Sequence, residues 1–269
     1  MNRLNIFFLT ALLVSQSFAQ SALSQAAPAQ IAPPGVSHAK APPPDASAAE
    51  LEKAGDQLRS EKAYLDALDY YKVALTKSLN RSSSLNNKAG MALLQSERFK
   101  ESEKYFQRAL KLDSKYAAAY NNLGAAYYEQ KKYGKAIKEY ERAIKLEPTS
   151  ASYYSNIGAA YFSKKDWVKA SEAYEKAVQL DPNIFDETSR YGIAARMSSP
   201  DDRAYFQYVL AKLYAKNGDA DRALQCLRRA MESGYPKIDN ALKDEEFAAL
   251  RKDPRFTELM NNRPAAIPN

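Results

Sequence analysis

The stretch that decides the fold runs from Tyr120 to Pro148 and reads YNNLGAAYYEQKKYGKAIKEYERAIKLEP. A second copy starts 34 residues later, at Tyr154, and reads YSNIGAAYFSKKDWVKASEAYEKAVQLDP, which aligns with the first without a gap. A fixed period of this length indicates stacked supersecondary units, each burying its apolar face against its neighbours. The chain is therefore expected to fold as a repeat protein.

Small and aromatic residues recur at matching places over a longer stretch. The glycines lie 34 or 35 residues apart, at Gly55, Gly90, Gly124 and Gly158. Sixteen residues after each glycine stands an aromatic residue, namely Tyr71, Phe106, Tyr140 and Tyr174. Two helices approach closely only where one offers a small residue and a large residue of the other fills the gap. Each copy therefore predicts two antiparallel helices, the second of which ends before a proline in the two clearest copies.

The motif order large, large, Gly, Tyr, Ala, aromatic, Ala, Pro resembles the tetratricopeptide repeat. Two tandem copies meet it in full, with Tyr120, Leu123, Gly124, Tyr127, Ala136, Tyr140, Ala143 and Pro148, and with Tyr154, Ile157, Gly158, Tyr161, Ala170, Tyr174, Ala177 and Pro182. Two earlier copies are looser, and a fifth, around Ala211 and Leu227, begins after an insertion. The resemblance implies an all-α fold, a right-handed α-solenoid (superhelix) of about five helix-turn-helix pairs with a C-terminal helical cap.

The first nineteen residues have the pattern of an export signal. Arg3 precedes an apolar run from Leu4 to Val14, and Ser17-Phe18-Ala19 offers small residues at a cleavage site. The run is shorter than the roughly 20 residues that span a bilayer, so an uncleaved anchor is the weaker interpretation. No cysteine lies near the signal's end to accept the lipid of a bacterial lipoprotein. We expect a bacterial type of exported protein, periplasmic or secreted, with no membrane span after cleavage.

Composition shifts divide the remaining chain into segments. They are a Pro/Ala-rich disordered linker (20–47), four tandem repeats (48–184), an inserted helix or loop (185–203), a fifth, degenerate repeat (204–237), C-terminal capping helices (238–262) and a tail (263–269) expected to fray. The insertion has two interpretations, a plain connection or an added contact surface carrying Arg190, Tyr191 and Arg196.

The residue inventory excludes most catalytic machinery. The chain has one cysteine, Cys226, and one histidine, His38, which lies in the linker. This excludes an internal disulfide, a Cys/His zinc site and a histidine relay. The acids alternate with lysine and arginine at helical spacings, as on solvated helix faces. We therefore expect no enzyme activity, no cofactor and no metal. The net charge of +7 does not by itself indicate a nucleic-acid-binding protein, and the export signal and the lack of a recognised base-reading module argue against nucleic acid as a partner.

The resemblance implies that the first helix of each pair lines a concave groove that binds a peptide or a partner protein. The positions carried over are Asn87, Asn121, Asn122, Tyr128, Asn156, Phe162, Tyr208 and Lys212. Asn122 and Asn156 resemble the asparagine ladder with which some members hold an extended peptide backbone, although asparagine also occurs there without that role. A clamp for a terminal carboxylate is disfavoured, because Glu52 and Asp56 occupy the corresponding positions of the first copy.

Two other interpretations stay open at this stage. The chain is alternatively a structural or oligomerising component of an envelope assembly, joining copies of itself through the convex face, the insertion or the cap. A third interpretation rests on Lys131-Lys132 and Lys164-Lys165, which occupy equivalent turns. These lysines are either ordinary solvated turn residues or a basic ridge for an anionic partner.

Overall fold

The computed structural model describes residues 41–185 and 199–267, and within these ranges the chain is helical with no strand. The eleven α-helices of this part are α1 (Ala48–Ser60), α2 (Tyr64–Lys77), α3 (Ser83–Gln95), α4 (Phe99–Leu112), α5 (Ala117–Glu129), α6 (Tyr133–Leu146), α7 (Ala151–Ser163), α8 (Trp167–Leu180), α9 (Pro200–Lys216), α10 (Ala220–Glu232) and α11 (Pro254–Asn261). Three short 3₁₀ turns, Ile238–Leu242, Glu245–Phe247 and Leu250–Lys252, lie between α10 and α11. The predicted export signal and the three candidate contact residues of the insertion lie outside the described residues.

The helices pack in consecutive antiparallel pairs. Each odd-numbered helix from α1 to α9 packs along the helix that follows it, and α2, α4 and α6 each pack against the next pair. The segment after α10 closes the stack on α9. The prediction of an all-α solenoid of five helix pairs with a C-terminal cap is confirmed.

One close contact inside each of the first four pairs explains the repeated glycine. A Cβ atom placed on Gly124 would lie 2.6 Å from Cε1 of Tyr140, and the equivalent distances at the other three glycines are 2.5 or 2.6 Å. The aromatic ring thus lies directly on the helix backbone, in a space that no side chain can share. The fifth pair reaches the same packing differently, because Ala211 and Leu227 occupy the two positions and both are fully buried.

The turns inside the pairs share a residue in the left-handed region of φ. Lys62, Glu97, Lys131 and Lys165 have φ between 59° and 64°, and Gly218 has φ of 79° in the fifth pair. This conformation costs a non-glycine residue roughly 1 kcal/mol, and it occurs at a non-glycine residue in four turns of this chain. The turns inside the pairs thus share one backbone geometry.

Hydrogen bonds link both ends of the described chain to the helices. At the N-terminal end, the Lys77 side chain donates to the carbonyl of Pro44, within the predicted linker. At the C-terminal end, the N–H of Ile267 donates to the carbonyl of Glu232, and Arg263 pairs with Asp239 at 2.6 Å. These two contacts link residues 263–267 to α10 and the cap, and the fraying of the tail stays a prediction.

Candidate partner-binding face

Helix α5 has two faces with different partners. Gly124 faces Tyr140 of the paired helix α6. Asn122 lies about 200° further around the helix, and its side chain contacts α3, whereas Asn121 contacts α7. The helices α3, α5 and α7 thus lie side by side, and we call the side of them that faces away from α4, α6 and α8 the first-helix face. It corresponds to the groove that the sequence predicts.

Four of the predicted groove residues meet in one hydrogen-bonded network across this face. Nδ2 of Asn122 donates to Oδ1 of Asn87 at 3.0 Å, and Nδ2 of Asn156 donates to Oδ1 of Asn121 at 2.9 Å. A longer contact of 3.4 Å joins Nδ2 of Asn121 to Oδ1 of Asn122 and links the two halves. Asn87 also donates to the hydroxyl of Tyr116 at 3.3 Å. The amides therefore connect three successive repeats.

The members of this amide network differ in exposure. Asn87 and Asn156 are buried, with 4% and 5% of their surfaces exposed, whereas Asn121 and Asn122 are half-buried. Oδ1 of Asn156 and the hydroxyl of the neighbouring Ser155 are buried with no hydrogen-bond partner among the described residues. Asn87 and Asn156 therefore bond between helices. Within this network, Asn121 and Asn122 are the two amides, central on the face, that present polar atoms at the surface.

The aromatic residues of the predicted set are packed into the stack. Tyr128 is 8% exposed and shares a hydrogen bond with Ser163 at 3.0 Å, and burial raises its pKa. Phe162 is 2% exposed and lies edge-on to Trp167, with ring centroids 4.8 Å apart. Both side chains pack between neighbouring repeats, so neither ring is available as a stacking surface for a ligand.

The C-terminal cap occupies the face of α9 on which the last two predicted residues lie. The Tyr208 hydroxyl donates to Asp244 at 2.9 Å. The Lys212 ammonium pairs with Asp244 at 3.0 Å and with Glu246 at 3.1 Å. Burial alone would lower the pKa of Lys212, but hydrogen bonds to these two carboxylates raise it. The first-helix face therefore ends before α9, since the chain's own acidic turn fills the next place.

A similar ion-pair cluster lies at the other end of the stack. Lys88 of α3 pairs with Glu52 at 2.7 Å and with Asp56 at 2.6 Å, both on α1. Asp56 also accepts a hydrogen bond from the Tyr71 hydroxyl at 2.7 Å. Burial alone would lower the pKa of Lys88, and the bonds to Asp56 and Glu52 raise it. Glu52 and Asp56 are thus bonded to other side chains of the protein. The part of the first-helix face between the two ion-pair clusters carries polar atoms that keep free hydrogen-bonding capacity.

Family models match the chain from the middle of α3 to the end of α8, and again over α9 and α10. TPR repeat models match residues 90–131 and 124–165, and tetratricopeptide repeat models match residues 151–184 and 204–233. The chain contains tetratricopeptide repeats.

Solved tetratricopeptide structures share the fold. The chain is similar to "MamA 41-end" from Desulfovibrio magneticus RS-1, with 19% identity and a TM-score of 0.50, over 73% of this chain and 97% of that one. It is also similar to TTC0263, a thermophilic TPR protein of Thermus thermophilus, with 18% identity and a TM-score of 0.50, over 80% and 100% of the two chains. At these identities the likeness concerns the fold alone. No curated protein sequence matches the chain.

Some residues form the clusters at the two ends of the first-helix face although the sequence motif gives them no role there. Lys88 is one, and it lies on the same stripe of α3 as Ser84, whose hydroxyl reaches Glu52. Asp244 and Glu246 of the cap are two more. The sequence signal for both clusters is weak, because an isolated lysine or acid on a helix is ordinarily solvated, and only the stacking of repeats brings the pairs together.

The described ranges hold neither a metal-type cluster nor a helix that could span a membrane. Residues 41–185 and 199–267 contain no group of three or more His, Cys, Asp or Glu arranged to hold a metal ion. Within the same ranges, every helix is too short or too polar to cross a bilayer.

Proposed function

We propose that the chain is an exported, non-enzymatic scaffold that binds an extended peptide segment of a partner protein on the first-helix face. One observation carries the proposal: the half-exposed amides of Asn121 and Asn122, in the middle of this face, are held in place by buried neighbours. The tetratricopeptide repeats support a role in protein interaction.

The two central amides have bonding capacity left after their internal contacts. A side-chain amide offers two N–H donors and two acceptor sites. Asn122 uses one donor toward Asn87 and one acceptor site toward Asn121, and Asn121 uses one of each toward Asn122 and Asn156. Each therefore keeps one donor and one acceptor, the set that a peptide unit needs. Because the neighbours fix both side chains, binding costs little side-chain entropy.

The surroundings of these amides favour an uncharged stretch of peptide. Ala118, Met91 and Leu94 are half-buried residues of α3 and α5 near the amide network. Three helices at a spacing of roughly 8–10 Å span roughly 20 Å, which an extended peptide of about six residues covers. We therefore propose a short segment that bonds through its backbone and places apolar side chains against α3 and α5.

Export is part of the proposal and rests on the N-terminal apolar run and its cleavage site. The mature chain would begin at Gln20 and act in the periplasm or outside the cell. Expression of the full chain with a C-terminal tag, followed by fractionation and N-terminal sequencing, tests this step. A tagged protein that starts at Gln20 in the exported fraction supports it, and a cytoplasmic protein that starts at Met1 contradicts it.

Selection from a random peptide library tests the binding proposal. The full chain is immobilised, selected peptides are sequenced, and their affinities are measured by calorimetry. Asn121→Ala with Asn122→Ala is expected to weaken binding by about tenfold or more, because each lost charge-neutral hydrogen bond is worth about 1 kcal/mol. The matched control is Gln107→Ala with Gln179→Ala, which removes two exposed amides from α4 and α8. Equal affinities of both variants and the original protein contradict the proposal.

A further inference from the structure

Five lysines surround a shallow cleft at the edge where the turns inside the pairs lie side by side. Lys131 and Lys132 come from the α5–α6 turn, Lys135 and Lys138 from α6, and Lys164 from the α7–α8 turn. The cleft has a volume of about 490 Å³, and Tyr133 and Gly134 form the rest of its lining. A Cβ atom on Gly134 would meet no atom within 4 Å, so the floor of the cleft is open. We call this feature the lysine cleft.

Acids of the described ranges neutralise few of the charges of the lysine cleft. Among the described residues, Lys131, Lys138 and Lys164 form no ion pair, and Lys132 approaches its carboxylate, Glu103, only to 3.9 Å. Lys135 lies 5.5 Å from the ring centre of Tyr127. Five exposed lysines around one cleft give a locally positive potential, which attracts an anionic partner.

The neighbouring lysines of the next turn are in a different situation. Lys165 is hydrogen-bonded to Asp202, and Lys169 lies 3.8 Å from Asp166. In α6, by contrast, the first carboxylate is Glu139, which pairs with Arg142 at 2.9 Å. The excess positive charge is thus confined to the lysine cleft and does not continue along the whole edge of the stack.

We propose that the lysine cleft is a second binding surface, which takes an extended acidic segment of a protein partner. Carboxylate side chains along such a segment pair with lysines on both sides of the cleft as the segment passes between the two turns. The surface lies on the turns and on a second helix, away from the amides of the first-helix face. It therefore has its own ligand, and the proposal does not depend on peptide binding at Asn121 and Asn122.

The spread of the lysines along α6 favours a peptide over a membrane surface. Lys138 lies six residues beyond Lys132, which places it about 9 Å along α6 from the tip. A flat bilayer surface that rests on the turns reaches the tip lysines first and lies away from Lys138. An extended chain that enters the cleft reaches both levels. The acidic segment is thus the occupant that uses all five lysines.

Binding of a fluorescein-labelled octaglutamate peptide to the full chain, measured by fluorescence anisotropy, tests the proposal. The cleft variant is Lys131→Gln, Lys135→Gln, Lys138→Gln and Lys164→Gln. The control variant is Lys100→Gln, Lys104→Gln, Lys111→Gln and Lys115→Gln, which removes the same charge from exposed lysines of α4 and the loop after it. We expect the cleft variant to lose about tenfold or more in affinity and the control about threefold or less. Circular dichroism verifies that both variants are folded.

Four results would overturn the proposal. Absence of octaglutamate binding at low salt removes it outright. Equal losses in the two variants would mean that the net charge alone attracts the peptide. Cleft-dependent binding to phosphatidylglycerol vesicles together with failure to bind octaglutamate would assign the lysines to a membrane surface. Asn121→Ala with Asn122→Ala is expected to leave octaglutamate affinity unchanged, and a loss there would merge the two surfaces into one.

Discussion

The first four helix pairs and the fifth pair solve the same packing problem with different residues. In the first four, a glycine receives an aromatic ring at a distance that leaves no room for a side chain. In the fifth, Ala211 and Leu227 fill the same two positions, and both are fully buried. A larger residue on the first helix is thus matched by a smaller one on the second. The repeat preserves the combined volume and not either residue type.

The two regions also differ in what covers the first helix. On α5 the first-helix face carries the half-buried amides of Asn121 and Asn122, whereas on α9 the equivalent surface is covered by the turn that contains Asp244 and Glu246. Phe247, on the same turn, is fully buried, and its ring centroid lies 5.7 Å from that of Tyr208. The last repeat therefore ends the stack by covering with its own cap the face that earlier repeats leave open.

Removal of the buried ring of Phe247 from the cap is expected to change the free energy of unfolding most. Phe247→Ala removes a fully buried ring and should lower the free energy of unfolding of the C-terminal region by about 3–5 kcal/mol. Because repeats contact only their neighbours, α1 to α6 should keep their stability. Urea unfolding followed by hydrogen exchange on each helix measures both effects.

Leu242→Ala is the matched control, since Leu242 lies in the same cap and is 48% exposed. It should change the free energy of unfolding by about 0.5 kcal/mol or less. If Phe247→Ala costs no more than this control, the cap is not anchored as we describe.

A substitution inside a regular pair tests the volume argument. Gly124→Ala should lower the free energy of unfolding by about 1–3 kcal/mol, because the new methyl group meets the ring of Tyr140 at 2.6 Å. Tyr140→Leu in the same chain copies the fifth pair and should recover part of this loss. The midpoints of urea unfolding of the single and double variants are compared.

Gly134→Ala serves as the control for the glycine substitution, because a Cβ atom there meets nothing within 4 Å. It should be neutral or stabilising by up to about 1 kcal/mol, since alanine favours the helix. A double variant that is less stable than Gly124→Ala alone by the full cost of losing the ring would contradict the compensation.

The hydroxyls of the repeated tyrosines should respond in opposite directions. The Tyr71 hydroxyl donates to Asp56 at 2.7 Å, so Tyr71→Phe should lower the free energy of unfolding by about 1 kcal/mol. The Tyr140 hydroxyl is buried with no partner among the described residues. Tyr140→Phe should therefore raise the free energy of unfolding by about 1 kcal/mol. Phe106 already occupies this position in the second pair. Thermal unfolding of the two variants checks the sign, and two shifts of the same sign contradict the assignment.

The buried hydroxyls of Tyr140 and Tyr174 predict a loss of stability at alkaline pH. Burial raises the pKa of Tyr140 and of Tyr174 well above the ordinary value of 10.0. A raised pKa in the folded state leaves stability intact below about pH 10 and lowers it as the pH rises further, by about 1.4 kcal/mol per pH unit for each tyrosine. Tyr140→Phe with Tyr174→Phe should flatten the decline of urea midpoints above pH 10. An unchanged slope would contradict the prediction.

The sequence predicted the stacked pairs well because their signal is local and repeated. Glycine, aromatic and alanine positions recur at fixed offsets, and each offset reports a contact within one pair. Gly124 and Tyr140 are sixteen residues apart in sequence and in direct contact in the fold. The order of the helices follows from the same pattern, whereas the closing cap was predicted from the helix-like spacing of apolar residues after the fifth copy.

The exposure of the predicted site residues was harder to predict than their place in the repeat. Position in a repeat places Phe162 and Tyr208 on the first helix, but burial of each depends on the next repeat or the cap, which lies outside the motif. The mutual bonds of Asn121, Asn122 and Asn156 depend likewise on how neighbouring repeats stack. A motif defines contacts within a unit, whereas exposure at a site is set between units.

Hydrogen–deuterium exchange with and without a library-selected peptide tests the central claim most directly. The account predicts slower exchange in α3, α5 and α7 on binding, with α4, α6, α8 and the cap unchanged. The strongest protection should lie on α5, which carries both central amides. Protection confined to the second helices or to the cap would place the partner elsewhere and contradict the assignment of the first-helix face.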